Sequence, residues 1–227
     1  MKKFISTILG VVMILSLSIT SFASESKMTV NEAKEYLQNY NVTKNNEFGK
    51  EYTTSYSFNS EEDLDKAACY IANHGLEAFE DALNSAISEV VANEPKSTTP
   101  ITRSTEPATA YATVSGNGTH SVSASARGMA SFDTLGYVEY KVILGYKVTV
   151  SNGEFTNLTN ISFDIPSVSG GGSWGNARFP SHCTATNCGV SANYDIVKSV
   201  EVEVEDFSIV IKSETDNEVF SLLTSLS

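Results

Sequence analysis

Residues 137–151, YVEYKVILGYKVTVS, decide the fold, because an apolar side chain stands at every even position of this stretch. The odd positions include Glu139, Lys141 and Lys147. Successive side chains of a β-strand point to opposite faces of a sheet, so the alternation predicts a long strand with one buried and one solvated face. The apolar set is Val138, Tyr140, Val142, Leu144, Tyr146, Val148 and Val150.

A hairpin follows this strand. Asn152-Gly153 stands between Ser151 and Glu154, and this dipeptide tolerates the positive φ angles that a two-residue β-turn requires. A return strand is therefore predicted up to Pro166. It carries Phe155 and later Ile161, Phe163 and Ile165.

Further alternating runs complete the C-terminal half of the chain. They cover 190–196, 200–204 and 207–211, and the small residues of 122–132 give a weaker strand. The phase of the alternation changes by one position at Glu205-Asp206. A β-bulge there would keep all the apolar groups on one face.

The predicted fold class is α+β: a small N-terminal helical region followed by a mostly antiparallel β-sandwich. The sandwich occupies residues 111–227 and has about six or seven strands and immunoglobulin-like size. Thr215 and Glu218 have capping-box spacing ahead of an apolar run. This spacing predicts one short C-terminal helix.

Residues 24–92 predict an acidic helical region. Thr29 and Glu32 have capping-box spacing, and Ser60 with Asp63 opens a longer helical stretch. Residues 49–58 alternate as in a strand or an extended arm. Apolar residues at steps of three and four then predict a helix face that the first helix or the C-terminal domain must cover. They are Leu76, Phe79, Leu83, Ile87 and Val90.

Residues 93–110 separate the two parts. They are rich in Pro, Thr and Ser and lack the apolar content needed to pack, so they predict an extended linker and a domain boundary. Arg103 lies in this linker. Cleavage there would make the helical region a pro-segment, which is an alternative organisation.

Residues 1–23 have the pattern of a secretory signal peptide. Lys2 and Lys3 precede an uncharged apolar run, and Ser21-Phe22-Ala23 is the small-x-small pattern that a signal peptidase cuts after. The run is shorter than the about 20 residues of a spanning helix, and no later stretch is apolar enough to cross a bilayer. We expect a bacterial protein that is cleaved after Ala23 and secreted to the extracellular space.

The chain is strongly acidic, with a formal net charge of −12. Loss of the leader makes the charge more negative, because Lys2 and Lys3 are the only charged residues in it. Such a chain is repelled by phosphate backbones and by anionic membrane surfaces. We therefore expect no nucleic-acid partner. The hydropathy of the mature chain predicts no stable membrane span, and the expected partner is an unknown protein or a glycan.

The chain has three cysteines. Cys183 and Cys188 are close in sequence, and in an oxidising compartment they are expected to form a disulfide at a hairpin end. A metal site using both thiols and His182 is the alternative, but it lacks a fourth ligand at a usual spacing, so no metal is predicted. Cys69 lies in a helical stretch and is interpreted as a small buried residue.

The glycine-rich segment 170–175 holds the only tryptophan of the chain. It formally matches a dinucleotide fingerprint, but it lacks the preceding strand, the following helix and the parallel sheet, so no cofactor is predicted. Interpreted as a mobile loop, it makes Gly172, Ser173 and Trp174 the candidate binding residues, with the indole on a sugar ring or in a partner's pocket. The alternative is that Trp174 plugs the open end of the sandwich.

No catalytic constellation stands out. His74, His120 and His182 occur in three different contexts, and the chain has neither a nucleophile elbow nor a zinc-protease helix motif. We name no catalytic residue and expect a protein that is not an enzyme.

Glu201, Glu203 and Glu205 are predicted to project from one strand face. Three carboxylates in a row could bind calcium, but a calcium site draws its oxygens from a curved loop. We interpret them as charges that keep a sheet surface soluble and discourage edge pairing.

Three hypotheses about function follow. The first is a secreted, non-catalytic interaction module whose β-sandwich presents loops to another protein or to a glycan. The second is a secreted antibacterial or membrane-active protein that keeps the helical region as a pro-segment or inserting element. The third is a small extracellular hydrolase built from residues distant in sequence.

Overall fold

A computed structural model describes residues 27–47, 49–93, 108–215 and 217–227. The predicted signal peptide, 1–23, lies outside the described residues. So does most of the predicted linker, of which only 93 and 108–110 are described.

The described residues form three α-helices and eleven β-strands in two sheets, which confirms the α+β class and the mostly antiparallel sandwich. The helices are α1 (Val30–Gln38), α2 (Glu61–His74) and α3 (Leu76–Asn93). The strands are β1 (Asn41–Asn45), β2 (Glu51–Ser57), β3 (Ala108–Val114), β4 (Gly118–Ser131), β5 (Tyr137–Ser151), β6 (Glu154–Val168), β7 (Gly172–Arg178), β8 (Ser181–Cys183), β9 (Asn187–Val204), β10 (Phe207–Thr215) and β11 (Glu218–Leu226).

The larger sheet is organised around β9. β10 and β11 both pair antiparallel with the same edge of β9. The pairing extends from Phe207 opposite Val204 to Ser225 opposite Asn187, so β10 and β11 together form one interrupted strand. β7 and β8 pair with the other side of β9. Antiparallel β2 and β1 lie beyond β10, and parallel β3 lies beyond β11.

The smaller sheet is the antiparallel meander β4-β5-β6. β4 and β5 pair without interruption, whereas the β5–β6 ladder contains three register shifts. All seven alternating apolar residues of β5, from Val138 to Val150, are buried. The predicted hairpin after β5 is confirmed, because Asn152 and Gly153 have φ angles of 54° and 78°.

One face of the larger sheet carries the core, and two structures cover it side by side. The smaller sheet covers β11 and the first half of β9, where the Tyr146 hydroxyl donates to the Leu222 carbonyl at 3.2 Å. The helices cover β10 and the second half of β9, where the rings of Phe79 and Phe207 stack with centroids 6.3 Å apart. The apolar face of α3 is thus covered by the C-terminal part of the chain, one of its two predicted covers.

The N-terminal region is joined to the sandwich through main-chain pairing. β2 forms an antiparallel ladder with β10 and so extends the larger sheet. The turn after β1 reaches the start of β11, where the Lys50 ammonium binds the buried Glu218 carboxylate at 2.6 Å. The helices and the strands therefore share one core.

The helix boundaries follow the predicted signals. The Thr29 hydroxyl accepts from the Glu32 amide at 3.3 Å, and the Glu32 carboxylate accepts from the Thr29 amide at 2.8 Å, which completes the capping box of α1. The Ser60 hydroxyl accepts from the Asp63 amide at 3.1 Å and caps α2. Gly75, with a φ of 92°, separates α2 from α3.

The predicted C-terminal helix is wrong, because residues 218–226 form strand β11. Glu218, Phe220, Leu222 and Thr224 alternate inward and are buried. The part of the β9 edge that β10 does not pair with lies beside this segment. Main-chain pairing with β9 and burial of the alternate face outweigh the local capping pattern.

The bulge predicted at Glu205-Asp206 is also wrong. These two residues form the turn of the β9–β10 hairpin, with Val204 opposite Phe207 and a positive φ of 51° at Glu205. A two-residue turn alone explains the one-position change in the apolar alternation, because it places both flanking residues on the same face of the sheet.

Candidate functional site

The second face of the larger sheet, termed the open face, carries the candidate site. The helices and the smaller sheet lie on the other side, so the described part of the chain leaves this face uncovered. Many outward positions of its strands are polar, namely Thr53, Ser55, Asp195, Glu201, Glu203, Lys212 and Glu214. Val197 and Val210 are apolar residues on the same face.

A groove of about 320 Å³ crosses the open face. This open-face groove lies where β1, β2, β10 and β9 follow one another in the sheet. The register places Asn41 and Lys212 on either side of Ser55, in one row across three strands. The lining residues are Asn41, Thr53, Ser55, Asp195, Lys212, Glu214 and Thr215.

Hydrogen bonds fix the two carboxylates of the groove. Asn176 Nδ2 donates to Asp195 Oδ2 at 2.7 Å and to Glu214 Oε1 at 3.2 Å, so one amide holds both carboxylates. The Asn217 backbone N–H donates to Asp195 Oδ1 at 2.9 Å. Asn176 has a φ of 54° and stands at the irregularity of the β7–β9 ladder, which turns its amide towards the groove.

The groove also holds a positive charge. Lys212 Nζ lies 2.7 Å from Glu214 Oε2, and both side chains remain partly exposed. The carboxylates accept hydrogen bonds, the ammonium donates them, and the hydroxyls of Thr53 and Ser55 do both. Such a surface suits a ligand that is itself rich in hydroxyl groups.

Trp174, the predicted binding residue, lies on strand β7 and not on a mobile loop. In the glycine-rich segment 170–175, the turn ends at Gly171 and strand β7 begins at Gly172. The indole is 38% exposed and contacts Phe163 of β6 edge-on, with centroids 5.2 Å apart. Phe163 also packs against Phe179 and Tyr194, so the indole closes the aromatic seam between the two sheets.

Gly172, Ser173 and Trp174 do not form one continuous surface. A Cβ on Gly172 would lie 2.6 Å from a Val138 methyl and 2.7 Å from a Val168 methyl, so this residue is packed between the sheets. Ser173 alternates with its neighbours, points to the open face and is exposed. The three residues therefore lie on both sides of β7.

The predicted disulfide between Cys183 and Cys188 is confirmed. The two residues are directly opposite in the β8–β9 hairpin, with Cα atoms 4.0 Å apart. A disulfide is consistent with an extracellular location. Cys69, in contrast, was predicted to be buried and is exposed, because α2 buries Ala67, Ala68 and Ile71 and turns position 69 to solvent.

A second cavity, of about 590 Å³, lies between α2 and the β9–β10 turn. Cys69 and His74 both line it, together with the acidic residues of the helix start and of the turn. His120 and His182 lie elsewhere, on β4 and β8. Of the three histidines, His74 therefore shares a described cavity with a free thiol.

Buried tyrosines form a structural cluster next to Glu218. The Tyr140 hydroxyl donates to Glu218 Oε2 at 3.4 Å, and the rings of Tyr140 and Tyr194 meet edge-on. Burial raises the pKa of Tyr140 above its usual value and raises the pKa of Tyr194 to about 12. Both phenols therefore stay protonated at neutral pH and serve as hydrogen-bond donors.

The three glutamates are exposed, but they do not share one strand. Glu201 and Glu203 lie on the open face of β9, and Glu205 lies in the turn. The Asn59 amide donates to Glu201 at 2.5 Å. Within the described ranges, no group of three or more His, Cys, Asp or Glu side chains is arranged to hold a metal ion.

Sequence reasoning missed the groove residues. Asn41, Asn176, Asp195 and Lys212 belong to four strands or their irregularities, and nothing in their local sequence sets them apart. The alternation of the sequence predicts which positions of β9 and β10 point outward. It does not predict which residues of the adjacent strands lie beside them.

No family model, curated protein or solved structure matches the chain. None of the described helices is long and apolar enough to cross a membrane.

Proposed function

We propose that the protein is a secreted, non-catalytic binding module that recognises a glycan through the open-face groove. The observation that carries the proposal is the pair of carboxylates, Asp195 and Glu214, held by the single amide of Asn176. Groups fixed before the ligand arrives lose little conformational freedom on binding.

The chemistry of the groove favours a glycan over a protein as the ligand. A protein-binding surface has an apolar centre with aromatic anchors, whereas the groove is lined by hydroxyls, amides and charges. Its volume is at the small end of ligand sites, which suits one or two sugar rings.

Trp174 supports a longer ligand. Gly175 is opposite Asp195 in the β7–β9 ladder, so the strand that carries the indole also borders the carboxylate pair. β7 pairs only with β9 in the described sheets, and the indole points to the face opposite the groove. A glycan chain that leaves the groove and wraps around the β7 edge would meet the exposed part of the indole. Aromatic rings bind the apolar faces of sugars in this way.

Export to the extracellular space is part of the proposal. The basic start, apolar run and small-x-small pattern of residues 1–23 support cleavage after Ala23. The Cys183–Cys188 disulfide supports an oxidising compartment.

No observation favours the membrane-active alternative. The apolar face of α3, with Phe79, Leu83 and Ile87, is buried against the larger sheet and would have to leave the core before it could insert. For the hydrolase alternative, the one supporting placement among the described residues is the cavity that Cys69 and His74 both line.

A glycan array probed with the intact protein tests the proposal. We expect binding to at least one glycan, and we expect Lys212→Ala to weaken it about tenfold, the effect of losing one charge-assisted hydrogen bond. Lys147→Ala is the matched control, because Lys147 is an exposed lysine of the smaller sheet.

Trp174→Ala reports on the length of the ligand, since it affects only glycans that reach the edge of β7. A folded protein that binds no glycan on the array contradicts the proposal. Capture of a protein partner whose binding Lys212→Ala abolishes would replace the glycan by a protein.

A further inference from the structure

The two edges of the smaller sheet differ in how well they are protected. β4 is one edge and β6 the other, because each pairs only with β5 in the described sheets. An edge strand exposes a row of main-chain N–H and C=O groups that a further strand can pair with. Natural sheets usually block such edges with bulges, proline, charges or a covering element.

β6 carries several of these blocking features. Its ladder with β5 shifts register three times, and Asn160 has a φ of 51°. Pro166 lacks the N–H that a partner strand would use, and Glu154 and Asp164 add negative charge. A second strand could not pair with β6 over more than a few residues.

β4 carries almost none of them. Its fourteen residues pair with β5 in an unbroken register from Gly118 to Ser131, and none is proline, lysine, aspartate or glutamate. Most side chains are glycine, alanine or serine, so they leave the backbone accessible. In the described part of the chain, its far end is occupied, where the Ser131 carbonyl accepts from Asn46 Nδ2 at 3.2 Å.

The distribution of charge favours a second copy of this chain as the source of the strand that pairs with β4. The chain has 27 acidic residues and a net charge of −12, so two copies repel each other over most of their surface. β4 has no acidic residue, and its charged side chain is Arg127. The approach of two β4 edges therefore places a part of each molecule that has no acidic residue at the contact.

We infer that two copies of this chain associate through antiparallel pairing of their β4 strands. A two-fold axis perpendicular to the sheet keeps both cores on the same side and joins two three-stranded sheets into one of six strands. Pairing centred on Ala124 places Arg127 opposite Ser121 of the second copy, so that the two arginines do not meet. The blocked β6 edges end the new sheet, and the product is a closed dimer instead of a fibre.

This inference does not depend on glycan binding. The open-face groove and β4 belong to different sheets, so a dimer can form in a protein that binds no glycan, and a monomer can bind one.

Sedimentation equilibrium of the full exported chain tests the inference. We expect a mass twice that of the monomer at micromolar concentration. Ser123→Lys combined with Ser125→Lys places like charges opposite each other for pairing centred on residues 123, 124 or 125, and should raise the dissociation constant at least about tenfold. Thr159→Lys combined with Ser162→Lys, at exposed positions of β6, is the control and should leave the dimer intact.

Three results would overturn the inference: a monomer at all concentrations, a dimer that persists in the β4 variant, or equal loss in both variants. Hydrogen exchange of the unmodified protein gives an answer that needs no variant. Amides of 118–128 should exchange more slowly as the protein concentration rises, while those of 157–165 should not change, and equal exchange at all concentrations contradicts β4 pairing.

Discussion

The hydroxyl of Thr215 replaces a missing backbone partner of Ile196. It accepts from the Ile196 N–H at 2.8 Å and donates to the Ile196 carbonyl at 3.2 Å. Glu214 pairs with Val197 and Glu218 with Tyr194, so three positions of the chain separate these pairs on one side and two on β9. This bulge interrupts β10–β11 next to the open-face groove, and the buried side chain satisfies both backbone groups that it would leave unpaired.

Replacing Thr215 by Val should therefore destabilise the protein by about 1–3 kcal/mol, because a buried N–H and C=O lose their partner. Thr215→Ser keeps the hydroxyl and should cost much less. Denaturant unfolding of both variants measures the difference. Equal stability of the two variants would mean that the hydroxyl does not support the bulge.

Gly172 and Gly175 should respond differently to alanine. A Cβ at Gly172 would overlap the methyl groups of Val138 and Val168, whereas nothing lies within 4 Å of a Cβ at Gly175. We expect Gly172→Ala to lower the free energy of unfolding by about 1–3 kcal/mol through overpacking. Gly175→Ala on the same strand is the control and should be close to neutral in the same thermal or denaturant unfolding experiment.

Asp63 should make stability depend on acidic pH. Its carboxylate accepts from the Ser60 hydroxyl at 2.5 Å and from the Ser208 amide at 3.1 Å, and these bonds hold its pKa below the usual value. The folded state thus binds the proton less tightly than the unfolded state, whose pKa is about 3.9. The stabilisation is present above that value and is lost as the pH falls through the folded pKa.

Thermal unfolding of the protein and of Asp63→Asn over a range of pH checks this prediction. The difference in Tm should be largest near neutral pH and should shrink below about pH 4. A difference that stays constant with pH would show that the charge of Asp63 is not involved.

Tyrosine ionisation should accompany alkaline unfolding. Burial is the main cause of a raised pKa at Tyr36, Tyr52, Tyr56, Tyr140, Tyr146 and Tyr194. The unfolded value is about 10, so stability is complete below that pH and falls above it as the unfolded chain loses protons first. As the pH rises, the phenolate absorbance of these six residues should increase over the same range in which circular dichroism reports unfolding. Full ionisation before any loss of structure would contradict their burial.

Thiol labelling should separate the three cysteines. Cys69 is exposed on α2, whereas Cys183 and Cys188 are joined. A native, unreduced sample should take one alkyl group per chain, and a reduced and unfolded sample should take three. Intact-mass analysis gives both counts, and three labels without reductant would mean that the disulfide is absent.

The sequence predicted the elements whose signals are local. Alternation identified β5 and most of β9, Asn152-Gly153 identified a hairpin, and capping residues identified the starts of α1 and α2. Prediction failed where a distant partner decided the outcome. Residues 218–226 became a strand because β9 offered an edge, and Lys198 lies fully buried among the inward positions of β9 although its charge suggests an exposed site.

What the sequence determined by itself is therefore the hydrophobic period of most segments, the acidity of the chain and the position of the Asn152-Gly153 turn. These properties depend on neighbours within a few residues. Only the tertiary structure decided which strands lie next to one another. Strand register brings Asn41, Asp195 and Lys212 into one groove, where the Asn176 amide binds Asp195 and Glu214. In the described sheets it also leaves β4 as an unblocked edge while β6 is blocked. Pairing partners far apart in the chain set these arrangements, because main-chain hydrogen bonds between strands carry no signal in the local sequence of either strand.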